Sequence, residues 1–481
     1  MINPNDLRST PDNQNQNNEL LSDLLLVQSK NLIKKSLQFH KFEYVKQKEP
    51  DESVLSRLKN TFYGRLYINF VKPIPVFRAL TNWLWRNIYP NYHRMSVFWS
   101  SNEVKRWRPL IKLSDYVKKT DAKAVKILDA VRVNTPVPKV LPLEDQDYLN
   151  SPHKYYDFPE VYVVKVNNAL IYGGTNLVFT KEHVIFHDLY DFERDYTSEE
   201  LHGRHLIDVK KKRIRLLIHD KEPLSLKIAA VFVDSCAANY AHWLTEVLPR
   251  IAVFCSNKQF DNIPIVINEG LHENIMESLA VIVGSERRII LLPVGHAIKV
   301  ELLYVTSVAG YVPFERRNKK LSDHSHGMFN PLALDLIRKK VDFFIDQVDF
   351  PKDKRKIYLR RSSGVRNLTN AKELECMLLK QGYVVVEPEK LPFLIQAALF
   401  KNAEIIIGSS GAAFANLIFA SKNTSVHILI GKYKDTSYWY WQNISCSSYN
   451  QIQYTLCDLD DKNKSIHSDF KVDLINFIQK L

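Results

Sequence analysis

The sequence predicts an α/β protein: two parallel-sheet units facing a cleft, preceded by a β-meander and a basic, helical N-terminal region. Three observations carry this. From Leu226 onward apolar strand patterns alternate with helical ones, as parallel-sheet units require. A polar stretch, ERRNKKLSDHS at 315–325, breaks the alternation once. At 481 residues the chain is also too long for one ordinary core. The expected division is 1–150, 151–325 and 326–481.

The first region holds most of the charge. The chain carries a formal +13. Between Ser56 and Leu113 eleven basic residues face one acid, Glu103, so +10 of that total lies there. Trp83, Trp85, Trp99 and Trp107 lie in the same segment. Residues 19–39 have helical periodicity. Val76 to Tyr89 (VFRALTNWLWRNIY), bracketed by Pro75 and Pro90, winds into a helix with Phe77, Leu80, Trp83 and Leu84 near one stripe. Aromatics with arginines at that spacing suit an anionic membrane surface, and equally a packed helix with solvated arginines. Nothing resembling a helix-turn-helix, zinc finger or RNP motif accompanies the charge, so no nucleic-acid partner is expected.

The second region begins with short strand patterns, VYVVKV, ALIYGG, NLVF and HVIFHDL, punctuated by turns at Asn167-Asn168 and Gly173-Gly174. That is the meander. IAAVFV (strand), HWLTEVLPRIAVF (helix), PIVIN (strand), ENIMESLAVIV (helix) and RIILL (strand) form the first α/β unit. The third region repeats the alternation from FNPLALDLIRKKVDFFI through RKIYLRR, NAKELECMLLKQG, YVVVEP, LPFLIQAALFKNA, EIIIG and AAFANLIFA to VHILIG.

Composition narrows the function classes. At 45% hydrophobic and 25% charged the chain is globular rather than disordered throughout. Five cysteines without a C-x-x-C pair fit neither a disulfide framework nor a zinc module, and point to a reducing compartment. Residues 1–18 have no apolar core and no run of about 18 apolar residues occurs, so neither a secretory signal nor a spanning helix is expected. The excess of positive charge asks for an anionic partner.

Three constellations carry chemistry. In Asn239-Tyr240-Ala241-His242-Trp243-Leu244-Thr245-Glu246, His242 and Glu246 are spaced i,i+4 and share a helix face just after a strand. A carboxylate-oriented imidazole is a reasonable general base, though the same pair can simply brace a helix. In Tyr358 to Asn367, Arg360, Arg361 and Arg366 sit where a strand empties into a loop, placed for forked bonds to phosphate oxygens or as plain surface charge. In Ile405 to Asn416, the small residues Gly408-Ser409-Ser410-Gly411-Ala412-Ala413 between strand and helix let backbone amides approach an anion. This is neither a Walker A loop nor G-x-G-x-x-G. Asp145-Gln146-Asp147 and Asp458-Leu459-Asp460 have a D-x-D spacing that chance supplies often, and no metal is assigned to either.

These blocks, in this order, resemble glycosyltransferase family 61, especially its bacterial members associated with capsular and other surface polysaccharides. The resemblance runs over roughly 160–475. It takes in Asn239 to Glu246 with Pro249-Arg250, Tyr358 to Arg361, Arg366 with Asn370, Gly382 to Pro388, Leu391, Phe393, Gln396, Gly408 to Asn416, and Asp469 to Asp473. It implies a GT-B fold of two Rossmann-like domains, inverting transfer from a nucleotide-diphosphate sugar to a glycan or lipid-linked acceptor, and no cofactor or metal. It places the donor on the C-terminal domain, with Arg361, Arg366, Ser410, Gly411, Ala412 and Asn416 as contacts. The acceptor side would use Asn239 and Tyr240, with His242 and Glu246 catalytic. Many members have Gly-Pro-His-Gly-Ala-Gly where this chain has Gly408 to Ala413, so no histidine contact to the donor carries over. Arg360 stands where serine is common, and 1–150 has no counterpart. A cytoplasmic location, peripheral on the inner membrane, follows from the resemblance and the basic segment together. The rival reading is a non-catalytic, basic α/β adaptor on membrane or nucleic acid, which leaves both α/β units without a task.

Overall fold

The computed structural model describes residues 42–44, 106–149, 154–197, 205–216, 223–284, 286–313, 315–316, 327–347, 353–361, 366–433, 438–460 and 468–480. The helices expected at 19–39 and 76–89, and most of the basic segment before Arg106, lie outside the described residues.

Two large sheets organise the chain. The first has twelve strands and is mixed. At its heart Ile289–Leu292, Ile265–Asn268, Leu224–Val231 and Ala297–Thr306 lie side by side and parallel. Taken by chain position this is the order 3-2-1-4, that of a mononucleotide-binding half. Four-residue runs buried along their whole length, such as Ile265–Asn268 and Ile289–Leu292, are what a sheet covered on both faces needs. The helix over Glu273–Val283 occupies the span its apolar periodicity predicts.

The meander continues this sheet: Val161–Tyr172 pairs antiparallel with Ala297–Thr306, then with Val178–Phe179, which pairs with Val184–Phe186. One expectation is corrected here. Asn167-Asn168 is not a turn; both lie within the twelve-residue strand Val161–Tyr172. Asn168 takes φ 50°, and the pairing skips from Val300↔Ala169 to Leu302↔Asn167. Asparagine tolerates the left-handed region better than most residues, so the strand continues through it. Asn176, beyond the meander's first strand, donates to Asp234 at the C-terminal end of the parallel strands, 3.1 Å away.

The second sheet has seven strands. Val384–Val386, Arg355–Leu359, Ala403–Ser409, Ser425–Gly431 and Gln451–Leu459 run parallel in the order 2-1-3-4-5, a doubly wound arrangement whose order reverses between Arg355–Leu359 and Ala403–Ser409. Residues 106–149, grouped with the basic N-terminal region on sequence grounds, are built into both sheets. Arg108–Lys112 and Ala124–Leu128 join the first, and Lys139–Leu141 pairs with Gln451–Leu459 of the second.

The sheets share one apolar core. Phe232, Trp243 and Ile251 from the first half belong to the same buried cluster as Phe393, Phe414 and Ile428 from the second. Polar ties cross it too: the Glu277 carboxylate accepts from the Phe393 amide at 2.7 Å, at the start of the helix Phe393–Lys401. Among the described residues no helix is long and apolar enough to cross a membrane.

Candidate active site

The sites lie where fold physics puts them, at the C-terminal ends of strands where strand order reverses. In the first sheet that point falls between Leu224–Val231 and Ala297–Thr306. Asp234 and Ser235 follow one strand and Ser307 the other, and with His242 and Glu246 they line a recess open to solvent.

His242 and Glu246 ride on a helical stretch over 240–255 whose middle, Trp243–Val247, is a π turn. Its start is explained by Asn239, whose Oδ1 accepts from the Ala241 amide at 2.9 Å and the His242 amide at 3.4 Å. The π turn has a cause as well. Pro249 has no N–H to give the Thr245 carbonyl, and the Leu248 amide bonds back to Trp243. Trp243, fully buried, pins the turn with its indole N–H on Ser278 Oγ at 2.8 Å.

His242 Nδ1 and Glu246 Oε1 form a very short hydrogen bond, and Glu246 Oε2 accepts from the Val312 amide at 2.9 Å. Burial alone pushes the imidazole down. The Glu246 carboxylate, by charge and hydrogen bond, and more distantly Asp234, lift it above its usual 6.5. The result is an imidazole more basic than a free one, oriented through Nδ1. A buried frame holds the pair: Arg250 donates to the Glu246 carbonyl at 3.1 Å and to Asp234 at 3.1 Å, and Asp234 accepts the Cys236 amide at 3.0 Å.

Val312 reaches Glu246 because the residue two before it is glycine. A Cβ on Gly310 would sit 1.9 Å from the Thr245 carbonyl oxygen. Gly310→Ala therefore forces the Gly310–Tyr311 strand away from the π turn, at a cost of about 1–3 kcal/mol. Thermal unfolding of the variant measures that loss; an unchanged Tm would show that the contact has room to spare.

At the second sheet's reversal point Arg361 and Arg366 come together. Arg361 donates to the Ser410 carbonyl at 2.8 Å. Burial and then the neighbouring Arg366 charge hold its pKa down at about 10, against a smaller opposing pull from Glu389. Arg366, with φ 57°, is lowered by burial, and its Nε is buried with no hydrogen-bond partner among the described residues. Two guanidinium groups that repel each other in a half-buried mouth are poised for an anion. Gly411 makes room for them: a Cβ there would lie 2.1 Å from Arg361 Nη1.

Several residues expected as contacts have partners within the chain. Arg360 points aside, bound to Glu375 and Glu387, and serves structure. Ser410 is buried with its hydroxyl accepting the Trp441 indole N–H at 3.0 Å, and so faces the core. Asn416 is fully buried; its carbonyl accepts from Tyr240 at 2.7 Å and its amide donates to Gln396 at 3.0 Å. Asn416 and Tyr240 thus form a strut between the halves. Asn239 is a helix cap. The helix after Gly411 is a 3-10 turn over Ala412–Phe419 rather than an α-helix. Asp145 pairs with Lys432 at 2.5 Å.

The two clusters are distinct but linked. None of Arg361, Arg366, Ser410, Gly411 and Ala412 lines the His242 recess. The link is the helix Trp439–Ser447: Tyr440 lies beside Glu246 and Thr245, its ring meets Trp441 at 4.5 Å, and Trp441 holds Ser410 next to Arg361. Sequence reasoning missed Asp234, His187 and Tyr311 in the recess. None stands in a local pattern, and only Asp234, just past an apolar strand, left a signal.

Residues 240–427 match the family model described as Glycosyltransferase 61. The match supports a sugar-transferring enzyme as the class, and family 61 within it. It spans under half of the 481 residues, from the head of the His242 helix into the strand Ser425–Gly431. It therefore contains His242, Glu246, Arg361, Arg366 and Gly411, while Asp234 and the meander fall outside. No curated protein matches the chain.

Proposed function

We propose that this chain is an inverting glycosyltransferase of GT-B type that moves a sugar from a nucleotide-diphosphate donor to a hydroxyl of a glycan or lipid-linked acceptor. The observation that carries the reading is the Arg361–Arg366 pair at the reversal point of a doubly wound sheet, inside the matched segment. The acceptor oxygen attacks the anomeric carbon as the bond to the diphosphate breaks on the opposite face. The hydroxyl proton passes to His242 Nε2, while Nδ1–H holds on to Glu246. The departing diphosphate gains negative charge, and Arg361, Arg366 and the amides near Gly411-Ala412 meet it without a metal ion. The basic segment before Leu113 fits a place on an anionic, cytoplasmic membrane face, where lipid-linked precursors of capsular or other surface polysaccharide would be extended.

Thermal-shift screening with UDP-, GDP-, CDP- and CMP-sugars, beside NAD, tests this directly. One nucleotide should raise Tm selectively, and mass spectrometry should then detect hydrolysis or transfer of its sugar. A protein indifferent to every nucleotide sugar would end the proposal.

A further inference from the structure

The recess holds a second histidine that neither the matched segment nor the sequence motifs include. His187 follows the strand Val184–Phe186 and lines the same recess as His242 and Glu246. Its ring is clamped, with the Phe186 centroid at 4.2 Å and that of Tyr311 at 4.3 Å. Tyr311 is itself anchored, donating its hydroxyl to the fully buried Asp195 at 3.0 Å. The His187 ring therefore has a fixed orientation. Its Nδ1 is buried with no hydrogen-bond partner among the described residues, which leaves Nε2 as the nitrogen available to a molecule in the recess that His187 lines.

That asymmetry selects a tautomer. A buried N–H without an acceptor is costlier than a bare lone pair, so the proton belongs on Nε2. Burial, then the charges of Arg250 and Lys112, keep the ring neutral by pushing its pKa well below 6.5, opposite in direction to His242. Two imidazoles on one recess with opposed environments are suited to different tasks.

We infer that His187 is an acceptor-binding residue, whose neutral Nε2–H donates a hydrogen bond to a sugar hydroxyl oxygen of the acceptor while His242 takes the proton of the attacking one. This rests on the transferase reading above and deepens it. It places part of acceptor selection on the meander, outside the matched segment, and requires an acceptor with a second hydroxyl near the reacting one.

The test compares wild type, His187→Phe and His187→Gln; glutamine keeps an N–H of similar reach. Each is assayed for hydrolysis of the stabilising nucleotide sugar in water and for transfer to a printed glycan array. Phenylalanine should raise the acceptor KM roughly tenfold, the scale of one lost hydrogen bond, with donor KM and hydrolysis unchanged and glutamine closer to wild type. An acceptor KM unmoved by phenylalanine, or a donor KM that rises with it, overturns the assignment while leaving the transferase reading intact. Loss of nucleotide-sugar binding and hydrolysis in wild type overturns the underlying reading instead. Long-range 15N NMR of the histidine rings in the full chain gives a ligand-free check: His187 should carry its proton on Nε2, and the opposite tautomer would overturn the role even where His187→Phe fails to fold.

Discussion

Replacing His242 with alanine should lower kcat roughly 100- to 10,000-fold, the range attributed to a positioned general base, while the nucleotide sugar still binds. The geometry argues for this split. His242 sits in the recess of the first sheet, and the arginines proposed to hold the diphosphate sit at the second, so removing the imidazole should leave that pair in place. A pH–rate profile adds a sign. The base works only when neutral, and the Glu246 carboxylate lifts its pKa above 6.5, so activity should fall as pH drops through a value higher than 6.5. In Glu246→Gln the charge that raises the imidazole is gone and burial remains, so this limb should move to lower pH. The plateau should fall too, because the ring loses its charged anchor. A limb that stays in place in Glu246→Gln would mean that the profile reports another group, and equal activity in His242→Ala would remove the imidazole from the chemistry.

Much of this was legible in the sequence, and what was not has a common cause. The Glu273–Val283 helix and the Ile265–Asn268 strand declare themselves by local period, and His242 with Glu246 by an i,i+4 spacing that any helical winding preserves closely enough. The π turn between them was hidden, since it arises from Pro249 and from a strand 65 residues downstream whose Gly310 packs on Thr245. Side-chain direction was hidden for the same reason. Spacing cannot tell that Arg360 turns to Glu375 and Glu387 while Arg361 turns to Ser410, nor that Asn416 is consumed by Tyr240 and Gln396. Those choices are made by partners brought together only when the sheets have formed. The recess shows the principle at its strongest: its wall comes from the meander, the first α/β unit and the segment near 310, and no stretch of sequence contains it.

Arg361→Ala should act on the other half of the reaction, lowering kcat/KM about 100- to 1,000-fold with a marked rise in donor KM. Burial, and after it the neighbouring Arg366 charge, hold the Arg361 pKa at about 10, and a diphosphate arriving beside both guanidinium groups offsets that penalty. That relief is available only to an anion, so the loss should be larger for the nucleotide diphosphate than for the nucleoside. Gly411→Ala separates this electrostatic role from a structural one. The backbone there is extended, with φ −174°, so alanine imposes no strain of its own. Its Cβ instead meets Arg361 Nη1 at 2.1 Å, and the mobile guanidinium has to swing away. The variant should lose no more Tm than about the few degrees of one broken hydrogen bond, yet lose donor affinity part-way toward Arg361→Ala. Combining the two substitutions should then cost little beyond Arg361→Ala alone, because both remove one interaction. Additive losses would show that Gly411 touches the donor through its own backbone rather than by making space for the arginine.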